Sequence, residues 1–108
     1  MIPIPLTTNQ VVSLMAPELK PETIRAWIRD FRLGGSPGSG RARTFDEDEL
    51  VKLWGVHLLR QDMISVEVIR ELLYEYDKPA GLRYCKVIAN WDRIRESLKN
   101  KIHKVENE

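Results

Sequence analysis

Apolar residues recur along this chain at helical spacing, broken by short polar or proline- and glycine-bearing stretches. Pro3 and Pro5 keep residues 1–7 extended. Val11, Val12 and Met15 then give one apolar side to a helix over roughly 9–16, with Thr8 as its N-cap and Pro17 at its end. In PETIRAWIRDF (21–31), Ile24, Ile28 and Phe31 stand at i, i+4 and i+7. Pro21 suits the first helical position, and Glu22 complements the positive helix end. A third helix, capped by Thr44 or Asp46 and ending near Asp62, is marked by Leu50, Leu53, Trp54, His57 and Leu58. Ser65 caps a fourth, lined by Val66, Ile69, Leu72, Leu73 and Tyr76.

After DKPAG (77–81) the spacing of Tyr84, Val87/Ile88, Trp91, Ile94, Leu98, Ile102 and Val105 alternates between three and four, close to a heptad. This predicts a C-terminal helix that pairs with its copy in a second subunit through Tyr84, Ile88, Trp91, Ile94, Leu98 and Ile102. A helix folded back on its own domain is the alternative. The expected division is therefore a domain over 1–77 and a dimerisation element over 78–108 with a fraying tail.

The chain has 108 residues, of which 43% are hydrophobic and 31% charged, which is globular composition with room for a small core. Its formal net charge is only +1. The distribution says more. Residues 1–45 carry six basic side chains against three acidic ones, and the remaining 63 carry eleven against thirteen. Five of those six basic residues are arginines, which suit phosphate and guanine. Arg25, Arg29 and Arg32 repeat with helical spacing beside the apolar stripe of 21–31. Arg41 and Arg43 follow the glycine-rich GGSPGSG (34–40). A short helix, a gap of a few residues and a second helix lined with arginine make the helix-turn-helix pattern. A solvated charged face is the bland alternative.

Three pieces in this order resemble the DNA-binding domain of MerR-family regulators. PETIRAW (21–27) is similar to that family's recognition-helix opening, RTFDEDEL (43–50) to the piece that closes its wing, and LLRQDMISVEVIRELL (58–73) to its leucine-rich fourth-helix signature. The resemblance implies a mainly α, winged helix-turn-helix fold, with a small two-stranded wing at about 32–45 and a C-terminal helix. It implies that helix 21–31 enters the major groove with Thr23 and Arg25 at its groove-facing start and Trp27 at the backbone. Arg43 matches the wing arginine that contacts phosphate or the minor groove. The sequence departs from the family at the turn before the helix, where Glu18-Leu19-Lys20 stands. Lys20 is a poor N-cap but could reach a phosphate. Asp62 replaces the glycine before the fourth helix, and aspartate tolerates a left-handed backbone. Trp27 suits the core and the DNA edge alike, and Phe45 is expected to anchor the wing in the core.

The expected DNA-binding set is Lys20, Thr23, Arg25, Trp27, Arg29, Arg32, Arg41 and Arg43. The expected protein is a homodimeric, sequence-specific transcriptional regulator of double-stranded DNA, cytoplasmic and nucleoid-associated. An architectural DNA-binding protein (excisionase-like, packaging or segregation) is the alternative, and a winged helix used only for protein contacts is a third. No apolar run reaches the roughly 18 residues of a membrane span. Cys85 is the only cysteine, so no cysteine-cluster metal site is expected. No cofactor and no small-molecule effector are expected. Enzyme chemistry is not expected either: His57 lies on an apolar face, the carboxylates of 46–49 read as a helix start, and the glycines do not form a P-loop.

Overall fold

The computed structural model describes residues 5–35, 43–77 and 89–106. Among these are five helices and one two-stranded antiparallel sheet: β1 (Leu6–Thr7), α1 (Thr8–Met15), α2 (Pro21–Asp30), β2 (Thr44–Phe45), α3 (Glu47–Gln61), α4 (Val66–Asp77) and α5 (Trp91–Glu106). Mainly α architecture with a small sheet thus holds.

Each helix start has a local cause. Thr7, not Thr8, caps α1: its hydroxyl accepts from the Gln10 N–H while the Gln10 side chain accepts from the Thr7 N–H, a reciprocal capping box. Lys20 stands at the N-cap of α2 without a side-chain cap bond, and Pro21 supplies the helical φ instead. Asp46 caps α3 through the Glu49 N–H at 2.9 Å, and Ser65 accepts from the Val68 N–H at 3.3 Å. The two helix ends that matter most share a design. The Leu33 N–H reaches back to the Ile28 carbonyl after α2, and the Ile64 N–H to the Leu59 carbonyl after α3. Each closure needs one residue in the left-handed region. Those residues are Arg32 (φ 54°) and Met63 (φ 64°). Asp62 keeps an ordinary φ of −84°, so the left-handed position falls one residue later than the sequence suggested.

The sheet also differs from expectation. Among the described residues the strand partner of β2 is the N-terminal arm, Leu6 opposite Phe45 and Thr7 opposite Thr44, and the glycine stretch contributes one backbone bond to it, from Gly35 to Thr44. Leu6 is apolar and buried, which pins this register. Residues 36–42, with Arg41, lie outside the described residues, as do Tyr84, Ile88 and Cys85.

α3 is the centre of the molecule. Leu50 to His57 are all buried, because α2, α4, α5 and β2 cover it from different sides. Gly55 is required where α5 crosses: a Cβ there would stand 2.6 Å from the Trp91 ring. The C-terminal helix therefore folds back on its own domain. Ile94 and Leu98 are buried in this contact, while Trp91 and Ile102 are half-buried against the same core. These four positions form a seam within the chain rather than the intersubunit stripe expected for them, with Ile94 and Leu98 closed off and Trp91 and Ile102 partly exposed. The heptad-like spacing reports an apolar stripe, and α3 is what covers it.

Polar contacts fix α5 along its length. Arg95 bonds Glu47 at 2.8 Å and Asp48 at 3.1 Å, and donates to the Tyr76 oxygen at 2.6 Å. Tyr76 in turn donates to Asp48 at 2.5 Å and meets Trp91 edge to face. Trp54 Nε1 donates to Ser97 Oγ at 3.0 Å. Lys101 reaches the α1–α2 turn at the far end. The acidic first turn of α3 thus serves as the docking point for α4 and α5 as well as complementing the helix dipole.

Candidate nucleic-acid interface

α2 carries its groups on three faces. Ile24 and Ile28 point into the core. Arg25 and Arg29, four residues apart, share an exposed face. Thr23 and Trp27 share the opposite flank and are half-buried, Trp27 packing on the core. Thr23 and Arg25 are two residues apart, so they lie about 160° from one another around the helix. The structure therefore groups Arg25 with Arg29 and Thr23 with Trp27, and it does not bring the two pairs onto one face. Lys20 is exposed at the helix start. Arg29 meets its neighbour Asp30 at 3.1 Å in a solvent-exposed pair of little energetic weight.

Beyond α2 the chain turns sharply and is stitched to the start of α3. Arg32 is exposed in its left-handed conformation. Gly34 takes φ 90° and lies against the fully buried ring of Phe45. Its N–H donates to Glu49 Oε2 at 2.7 Å. The Gly35 N–H donates to the Thr44 carbonyl at 2.7 Å, joining the described chain on the two sides of residues 36–42. Half-buried Arg43 Nη1 donates to the Leu33 carbonyl at 3.2 Å across this loop base. This places Arg43 beside the end of α2, at Leu33, the residue that follows Arg32, with part of its hydrogen-bonding capacity spent on the backbone. The Phe45 ring is the anchor of this loop.

Two features were not evident from sequence spacing. Arg70 of α4 sits over the Phe31 ring at 5.8 Å and lines a groove of about 480 Å³ with Asp30, Phe31, Arg32, Leu73, Tyr74 and Asp77. Glu49 links the loop base to a buried cation: its other oxygen lies 3.0 Å from Lys52, which also meets Asp77 at 3.0 Å. Burial works against the Lys52 charge, but the hydrogen bonds it donates to Glu49 and Asp77 prevail and hold its pKa above the usual lysine range. Sequence distance hides both contacts, since each partner is an ordinary charged residue on a helix.

Glu18 and Asp48 are both engaged. Glu18 lies 2.6 Å from Lys101 Nζ. Hydrogen bonds from Tyr76 and then Arg95 hold Asp48 below the usual carboxylate range. His57 is buried on α3 as its apolar surroundings suggested, and that burial lowers its pKa, offset in part by the charge of Glu18. No group of three or more histidine, cysteine or carboxylate side chains suited to a metal occurs among the described residues, and no helix there is long and apolar enough to cross a membrane. Comparison with protein-family models, curated proteins and solved structures gave no match.

Proposed function

We propose that this chain is a sequence-specific, double-stranded-DNA-binding protein of the winged helix-turn-helix type, acting as a transcriptional regulator. The observation that carries this reading is the exposed Arg25/Arg29 face of α2, with Lys20 at its start and Arg32 and Arg43 at the loop base beyond its end. α1, the short turn and α2 are the helix pair, and residues 32–45 are the wing. Arg25 and Arg29 read or grip the major groove, while Lys20, Arg32 and the wing arginines Arg41 and Arg43 contact phosphates, which position without specifying. Thr23 and Trp27 border the groove from the other flank of the helix.

Selection of bound duplexes from random DNA, followed by titration of the selected site, tests the reading. Affinity is expected to fall with salt, with a log–log slope of about −0.9 per phosphate contact. Arg25→Ala is expected to weaken binding and relax base preference, and Arg43→Ala to weaken binding evenly across sequences. Salt-independent affinity, or wild-type affinity in both variants, refutes it.

A second reading has an observation in its favour. Ile94 and Leu98 are covered within one chain, so these two positions are not open to pair with a second copy. An architectural DNA-binding protein, excisionase-like or devoted to packaging or segregation, has no need of a two-fold pairing of α5. A selected site without dyad symmetry, bound by a monomer in light scattering, favours that role. A palindrome bound by a dimer favours the regulator.

A further inference from the structure

We infer that α5 acts on DNA binding through Lys101, a positioning residue that fastens and neutralises the turn leading into α2. The inference rests on the reading of α2 given above. Lysine is seldom buried, yet the Lys101 side chain is only 8% exposed. Its ammonium lies 2.6 Å from Glu18 Oε2 and donates to the Ala16 carbonyl at 2.6 Å. Lys101 follows buried Leu98 by three residues, so the α3–α5 contact that fixes Leu98 also fixes the base of this side chain.

The turn needs such a fastening. α2 starts without a side-chain cap, since Lys20 makes no cap bond. The turn has its own backbone bond from the Leu19 N–H to the Met15 carbonyl and the buried Leu19 side chain. Lys101 adds a charged link from the opposite end of the molecule, 85 residues away in sequence. It also matters electrostatically. Glu18 is one of only three acidic residues in the first 45, and it stands two residues before Lys20. Paired with Lys101, its charge is cancelled at short range. Unpaired, it faces the same phosphates that Lys20 and Arg25 attract, with buried His57 as the other titratable group within its field.

The test uses the full chain and the duplex selected for it, comparing Lys101→Met, Lys101→Arg, Glu18→Gln and the Lys101→Met/Glu18→Gln double variant. Methionine keeps the packed stem and removes the charge. At ~0.1 M salt, Lys101→Met is expected to bind roughly three- to tenfold more weakly, with the gap narrowing as salt screens Glu18. Lys101→Arg is expected to stay near wild type, and the double variant to recover most of the lost affinity. Thermal unfolding of each variant gives the folded fraction at the assay temperature, and affinity is compared after correction for it, because Glu18→Gln can relieve an unpaired carboxylate in stability as well as in binding. Wild-type binding with an indifferent Lys101→Met overturns this inference alone. So does an equal loss in the Glu18→Gln background, or a loss that merely follows the unfolded fraction. A wild-type chain that binds no duplex overturns the reading of α2, and this inference with it.

Discussion

Gly34→Ala is expected to destabilise the fold by about 2–6 kcal/mol, from two independent causes. Gly34 holds φ at 90°, where an L-residue bears strain of about 1–3 kcal/mol. An added Cβ would also stand 2.9 Å from Phe45 Cζ and 3.1 Å from Cε1. Those atoms belong to a fully buried ring, packed between the sheet and the helices, with no free end to swing aside. Overpacking of this kind costs about 1–3 kcal/mol. Native domains hold only about 5–15 kcal/mol in total, so the change is large enough to measure by urea unfolding followed by far-ultraviolet circular dichroism. Gly35→Ala is the control. Its Cβ would meet Thr44 O and Oγ1 at 3.4 Å, with no positive φ to strain, and it is expected to cost less than about 1 kcal/mol. If Gly34→Ala lies within about 1 kcal/mol of wild type, or if the two alanines cost the same, the account of the loop base is refuted.

Other consequences can be checked with the same preparations. Met63 is left-handed and 87% exposed, so Met63→Gly is expected to raise stability by about 0.5–1 kcal/mol by relieving backbone strain; an unchanged or lower urea midpoint refutes this. Burial first, and then its bond to Asp48, raise the Tyr76 pKa to about 12. A folded-state pKa above the unfolded value stabilises fully below the unfolded pKa near 10, and that stability is lost as pH rises toward 12. Phenolate absorbance should therefore show one tyrosine titrating late, and Tyr76→Phe should abolish it. Asp48 carries the opposite sign: its lowered pKa contributes stability above the ordinary carboxylate pKa, which is lost as pH falls through the folded value. Asp48→Asn should flatten the acid limb of the stability profile.

The helices were legible because each carries its apolar stripe and its stop signals within its own few residues. Ile24, Ile28 and Phe31 announce α2, and Pro17 ends α1 by simple sterics. What covers each stripe was not legible. Periodicity states that Ile94 and Leu98 need a partner surface and is silent on whether that surface belongs to the same chain. The clues were dispersed: a glycine in mid-helix at 55, an aromatic at 91, two carboxylates at 47 and 48, and an arginine at 95. None of them means anything until the helices are side by side. The arginine face of the candidate interface was readable from spacing alone. The engagement of Arg43 with the Leu33 carbonyl, and of Arg70 with Phe31, was not, because both depend on turns set by left-handed residues at the ends of helices. The shift from Asp62 to Met63 shows the limit at finest scale, since the hydrogen bonds that close a helix count residues and override the preference of any one side chain.

The closure of α5 over α3 carries a consequence for how the chain is made. The bonds that complete the core join residues 43, 47 and 48 positions apart, and the Lys101 clasp spans 85. During synthesis, the side of α3 that bears Trp54 and Gly55 stays open to water until the C-terminal segment has left the ribosome. Nascent chains that pause before residue 91 present that apolar strip to chaperones and to one another. Completion of α5, rather than of the arginine-bearing helix, is the step that covers this side of α3.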